Sequence, residues 1–214
     1  MINVIIVSDD TDTHLGNYFL NCKEDISQFF DGQNEVLENT VILIPQDTCN
    51  QAFVDLTVEE INDGSFVFIA YSHGNERYLR SNGGNYIQAG VNTNNFANSL
   101  FFTNSCLSGK ELGKDLIDNG CISFVGYVEE VYGFLNDEYM AVSINCDNAC
   151  IKSFFSDTIS ISLAFERMKK YYTSQIDKYK SLDPIFAARL VSNREALVLY
   201  GNMELVKEDL TVEF

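Results

Sequence analysis

The chain is poor in basic residues, proline and histidine, and it holds no long apolar run. Fourteen Lys and Arg stand against 31 Asp and Glu, a formal charge of -17 at pH 7. Such a surface repels a phosphate backbone or an anionic bilayer, which argues against nucleic acid and membranes as partners. Only two prolines occur while hydrophobic residues make up 46%, so collagen-like and disordered chains are excluded and a packed core is favoured. No apolar stretch approaches the roughly 20 residues needed to cross a bilayer. The apolar start from Met1 to Val7 has no basic segment and runs into Asp9 and Asp10, so no export signal is visible and a soluble, cytoplasmic protein with reduced thiols is expected. The six cysteines and two histidines lack the paired C-x-x-C spacing of a zinc site. Cys146 and Cys150 are spaced to share a helix face, but two more ligands would have to converge on them, so neither a metal nor another cofactor is expected. Neither G-x-x-x-x-G-K-[ST] nor a strand-linked G-x-G-x-x-G occurs, which ranks a nucleotide-binding α/β domain last.

At 214 residues the chain fits one domain with a single core, and no internal repeat or linker divides it. Apolar, β-branched runs predict strands over Ile2–Val7, Thr40–Ile44, Ser65–Tyr71, Leu100–Asn104, Cys121–Tyr127 and Glu195–Tyr200. They are nearly continuous in apolar character, as expected for parallel strands covered on both faces. Helical spacing is patchy over Asp12–Phe30 and firm over Ser108–Asn119, where Leu112, Leu116 and Ile117 share a face and Gly120 is the stop signal. A long apolar stripe over Ser156–Leu182 predicts a core helix, with a break at Pro184. Glycines and asparagines between 75 and 95 predict a hairpin or loop around Tyr86–Val91. The expected fold is a three-layer α/β sandwich, with a mostly parallel sheet of about six strands and helices on both faces.

In an open α/β sheet functional residues gather at the carboxyl ends of the strands. Two ends carry chemistry: F-V-F-I-A-Y-S-H-G closes on His73 and Gly74, and L-F-F-T-N-S-C-L-S-G carries Cys106 into a predicted helix. A cysteine attacks as thiolate and needs a base or an electropositive setting, and a helix start just after Cys106 would supply positive dipole character. His73 is the base such a nucleophile requires. Gly74, lacking a side chain, lets its amide approach a substrate carbonyl, and with the Cys106 amide it can form an oxyanion hole. Alone, a strand-end cysteine is more often a small core residue and a single histidine a polar group of surface or core; together they form a nucleophile and base unit. Cys121 reads as core, Cys22 and Cys49 have no base nearby in sequence, and His14 reads as surface.

His73-Gly74 and Ser105-Cys106, each at a strand end, resemble the caspase-like (clan CD) cysteine peptidases, which include caspases, metacaspases, separase, gingipains and bacterial CHAT domains. The N-S-C-L-S-G of Asn104 to Gly109 is similar to the metacaspase D-S-C-H-S-G, and A-L-V-L-Y-G of Ala196 to Gly201 resembles the end of a CHAT domain. CHAT-like is the favoured placement within the group. The caspase signature Q-A-C-[RQG]-G is absent. The resemblance implies a Cys106/His73 dyad that cleaves a protein or peptide substrate, a regulatory protein partner, and a setting in bacterial defence or programmed cell death. A different class, a catalytically silent caspase-like interaction module, is the alternative.

For the substrate pocket three places come into question, the first two through the resemblance. Asn104 stands two residues before the cysteine, where metacaspases carry an acid that binds a basic side chain. Asp9 and Asp10 follow the first strand, where the group often places another specificity residue; with Asp12 and Thr13 they serve equally well as helix caps. Glu129 and Glu130 lie at a neighbouring strand end. The acidity of the chain agrees with a basic side chain before the cleaved bond, although a dispersed, solvated surface accounts for it too. Arg77 and Arg80 would reverse that preference if their loop folded over the site, but a solvated loop is their expected role.

Overall fold

The computed structural model describes residues 1–33, 39–44, 48–61 and 64–211. Along these residues run β1 (Ile2–Ser8), α1 (Gly16–Gln33), β2 (Asn39–Ile44), α2 (Gln51–Ile61), β3 (Phe66–Tyr71), β4 (His73–Gly74), β5 (Tyr78–Ser81) and β6 (Gly84–Gln88). They are followed by β7 (Ser99–Thr103), α3 (Leu112–Asp118), β8 (Ser123–Tyr127), α4 (Asp137–Ser156), α5 (Ile161–Tyr179), α6 (Pro184–Ala196) and β9 (Leu197–Gly201). Six strands form the main sheet in the order β2-β1-β3-β7-β8-β9. All neighbours pair in parallel except β9, which runs antiparallel to β8.

Successive side chains of a strand point to opposite faces, and both faces of this sheet are covered. Val4, Ile6, Val67, Ile69 and Phe102 pack with α1, α4, α5 and α6. Ile5, Val7, Phe68, Phe101 and Phe124 pack with α2, α3 and the strands β5 and β6. This is why the strand sequences run apolar without alternation, and it gives the mostly parallel sandwich expected from them.

Two elements depart from the sequence expectation. The segment after His73 is neither loop nor simple hairpin: β4, β5 and β6 make a second, antiparallel three-stranded sheet. The chain leaves the main sheet at Tyr71, bends at Ser72, and enters the small sheet at His73. The helix expected from Ser108 begins only at Leu112, because Cys106 to Glu111 form turns pinned by bonds from the Glu111 and Leu112 amides to the Glu76 carbonyl, at 3.2 and 2.8 Å. The break expected at Pro184 is present: α5 ends at Tyr179 and Pro184 opens α6, with Asp183 as cap accepting from the Ile185 and Phe186 amides at 3.1 and 3.0 Å.

Candidate active site

The parallel strands deliver four chain segments to one edge. In the registers Ser8↔Tyr71 and Ala70↔Thr103, β1, β3 and β7 finish side by side. Backbone bonds carry the alignment past the strand ends, from the Asp9 amide to the Tyr71 carbonyl at 2.9 Å and from the Asn104 amide to the Ala70 carbonyl at 3.3 Å. The fourth segment leaves β8 and crosses in front of Cys106, with the Leu107 amide donating to the Glu129 carbonyl at 3.1 Å.

His73 and Cys106 line the same recess, together with Leu15, Tyr18, Phe19, Ser72, Asn104, Val131 and Gly133. Serine and threonine hydroxyls stitch their two segments together. Ser105 Oγ donates to the Ser72 carbonyl at 2.7 Å, Thr103 Oγ1 donates to Ser105 Oγ at 2.9 Å, and Ser72 Oγ lies 2.5 Å from the Tyr86 hydroxyl. Gly74 completes the junction: a Cβ there would stand 2.8 Å from the Ser105 Cβ and 3.2 Å from the Cys106 carbonyl oxygen. A side chain at that position would force the His73 strand and the Cys106 turn apart.

The turn itself is strained. Leu107 has φ of 59°, a left-handed conformation that costs a non-glycine residue about 1–2 kcal/mol and that persists only where surrounding structure enforces it. Its neighbour Cys106 is half-buried, whereas Cys22, Cys49, Cys121, Cys146 and Cys150 are buried free thiols. The Val131 amide donates to Cys106 Sγ at 3.3 Å, and Sγ lies 3.9 Å from the Val131 carbonyl, to which it donates. Burial pushes the Cys106 thiol above its ordinary value, and the charge of Glu130 adds to that against the Val131 amide. The positive helix start expected beside the cysteine is therefore not what prepares this thiol, since α3 starts six residues on, at Leu112.

His73 has a carboxylate partner that the sequence assigned only to capping. Asp12 Oδ2 lies 3.1 Å from His73 Nε2, while Asp12 Oδ1 accepts from the His14 and Leu15 amides at 2.9 and 2.6 Å. Burial works to raise the Asp12 carboxyl, but the Leu15 and His14 amides and the His73 ring outweigh it and hold it below its ordinary range. The ring also meets Phe19 edge to face, with centroids 5.4 Å apart. In the neutral ring, a proton held at Nε2 by this acceptor leaves Nδ1 as the lone pair.

The remaining candidates separate. Asn104, only 4% exposed, lines the recess with Cys106 and His73. Asp9 lies on the other side of His73, in a cleft shared with Asp12, Arg80 and Asn82, where burial raises its carboxyl against the Asn82 amide bond. Asp10 is held by the Lys23 ammonium and the Ser8 hydroxyl. Glu129 joins Glu130, Glu195, Tyr132 and Leu107 in a second cleft beside the cysteine turn. Arg77 pairs with Glu111 at 3.6 Å, and Arg80 faces His73 across β4 and β5. Among the described residues no group of three or more His, Cys, Asp or Glu is placed to hold a metal ion, and no helix is long and apolar enough to cross a membrane.

No family model matches the sequence, and no curated protein matches it. Solved structures match it in fold. The Arg-specific cysteine proteinase gingipain R superposes with a TM-score of 0.58 at 10% identity, over 95% of this chain and 47% of that one. A secreted C11 cysteine protease from Bacteroides thetaiotaomicron gives a TM-score of 0.46 at 10% identity, over 94% of this chain and 87% of that one. The chain thus spans about half the length of the gingipain R chain. The likeness to gingipain R is one of fold: a mostly parallel six-stranded sheet with helices on both faces, the caspase-like sandwich.

Proposed function

We propose that the protein is a cysteine endopeptidase, with Cys106 as nucleophile and His73 as its base. The observation that carries this is the single recess lined by Cys106 and by a His73 whose Nε2 is bound to Asp12. With Nε2–H engaged, Nδ1 takes the thiol proton as Sγ attacks the substrate carbonyl; the same proton then passes to the leaving amine as the C–N bond breaks. Water hydrolyses the thioester by the reverse path through His73. The Gly74 and Cys106 amides hold the oxyanion, and Asp12 fixes the ring and its tautomer. Productive binding displaces the Val131 contact at the sulfur. No cofactor takes part in these steps.

A basic side chain before the cleaved bond is the preference we assign. Asn104 is the polar contact inside the recess, while Glu129, Glu130 and Glu195 on one side, and Asp9 on the other, give the surroundings a negative potential. Placement among CHAT-like members, with a cytoplasmic role in defence or programmed cell death under a regulatory partner, is an analogy drawn from sequence resemblance.

The second reading, a silent caspase-like interaction module, draws on the Val131 amide seated on the sulfur and on a thiol pushed up by burial. Labelling separates the two. A peptidyl electrophile should modify Cys106 in the wild type and fail to do so in His73→Ala, while a small alkylating agent reports thiol access in both. Equal labelling by the peptidyl reagent with and without His73 would favour the silent module.

A further inference from the structure

Beneath the recess lies a buried acid that the proposed chemistry does not use. Asp147, on α4, is 0% exposed, and four donors from three other elements and one loop converge on its carboxylate. Tyr18 of α1 donates to Oδ2 at 2.7 Å and Asn104, just beyond β7, at 3.3 Å. Tyr127 at the end of β8 and Tyr172 of α5 donate to Oδ1 at 3.0 and 2.5 Å. All four contacts are made by donors, so the carboxyl acts here as an acceptor, while burial raises it above its ordinary range against the pull of the Tyr172, Tyr18, Tyr127 and Asn104 bonds.

That one-sidedness orients Asn104. A carboxamide has a donor end and an acceptor end, and only its NH2 group can face an acceptor. With Nδ2 turned inward to Asp147, Oδ1 is left on the other side; it is buried, has no hydrogen-bond partner, and belongs to a residue that lines the recess with Cys106. A buried acceptor without a partner costs roughly 1–3 kcal/mol, a penalty that a donor supplied by a bound molecule would relieve. Tyr18, the other Asp147 partner in that wall, is likewise turned so that its hydroxyl points inward to the acid and not to a substrate.

We infer that Asp147 is a positioning residue that sets the hydrogen-bond polarity of the substrate recess, making it accept from a side chain that carries N–H donors, such as an ammonium, a guanidinium or a carboxamide. The inference rests on the peptidase reading above and adds to it the group that dictates selectivity from behind Asn104.

The test compares turnover of peptides that differ only before the cleaved bond: lysine against its apolar isostere norleucine, and glutamine against glutamate. The expected wild-type enzyme favours lysine over norleucine, and glutamine over glutamate, by about tenfold or more. In Asp147→Asn the partner amide lets Asn104 turn over, so both ratios fall toward one and glutamate turnover rises. A general loosening of the site would lower all four rates and leave the ratios alone. Asn104→Leu, which leaves the acid its three tyrosine donors, should erase the lysine preference by itself, and adding Asp147→Asn to it should change the ratio no further; this arm stands even if Asp147→Asn fails to fold. Unchanged ratios in Asn104→Leu, or in a folded Asp147→Asn, would overturn the inference while wild-type turnover, lost in Cys106→Ala, left the peptidase reading intact. Absence of wild-type turnover on every peptide would overturn both.

Discussion

Asp12 and His73 meet at 3.1 Å between Oδ2 and Nε2, and the same carboxylate caps the start of the segment leading into α1 with its other oxygen. The two duties can be separated by substitution. Asparagine keeps an oxygen for the amides, but presents an amide group to Nε2 and so favours the wrong histidine tautomer. Asp12→Asn should therefore lower turnover about 10²-fold or more with little change in unfolding midpoint, whereas Asp12→Ala should also lose about 1 kcal/mol of cap.

The same carboxyl is held below its ordinary 3.8 in the fold. A lowered folded value means that its contribution to stability is complete above the unfolded value and is lost as pH falls through the folded one. Unfolding measured across acidic pH should show a smaller loss of stability in Asp12→Asn than in the wild type over that range. An identical acid dependence in both would contradict the assignment.

Glu130 bears on the thiol in the opposite sense. Burial raises Cys106 first, and the Glu130 charge raises it further, so removing that charge should bring thiolate formation to lower pH. We expect the alkylation rate of Glu130→Gln to rise at a lower pH than in the wild type, with Glu60→Gln on α2 as an unrelated acidic control. A shift to higher pH would be the wrong sign.

Gly74 is a packing constraint and not a conformational one, since its φ is not positive. Gly74→Ala places a methyl group 2.8 Å from the Ser105 Cβ, and such overpacking costs typically 1–3 kcal/mol. The junction between His73 and Cys106 must open to take it. Denaturant unfolding should show that loss and turnover should fall with it; a variant with unaltered stability and turnover would contradict the contact.

Much of this architecture was legible in the amino-acid order, because a strand covered on both faces has to be apolar throughout and six such runs stand out. The positions of His73, Gly74 and Cys106 at strand ends followed from the same signal. What escaped has physical causes. Helix α4 carries Ser143, Asp147 and Asn148 among its buried residues, so its inner face breaks the apolar periodicity that announces a helix. Helix α2 is short and sits against the small sheet, which itself read only as a glycine-rich hairpin or loop. Asp12 lies where a cap is expected, and nothing local in the chain shows that its second oxygen reaches His73 some sixty positions on. The delayed start of α3 reflects a tertiary contact, the Glu76 carbonyl taking the Glu111 and Leu112 amides, against a local pattern that favours helix from Ser108.

Nucleophile and base should behave as one unit. Cys106→Ala and His73→Ala are each expected to abolish cleavage while remaining folded, and the double variant should be no worse than either, because losses within one attack and proton-transfer unit do not add. Cys121→Ala should stay active, since that thiol is buried against Ser99 and Ser123.

The central claim is that Cys106 cleaves peptide bonds. A proteome-derived peptide library incubated with the wild type and with Cys106→Ala, with new termini read by mass spectrometry, tests it most directly. The account predicts wild-type cleavage sites that share a donor-bearing side chain before the cut and that vanish in the variant. Cleavage that persists in folded Cys106→Ala, or none by the wild type, would contradict it.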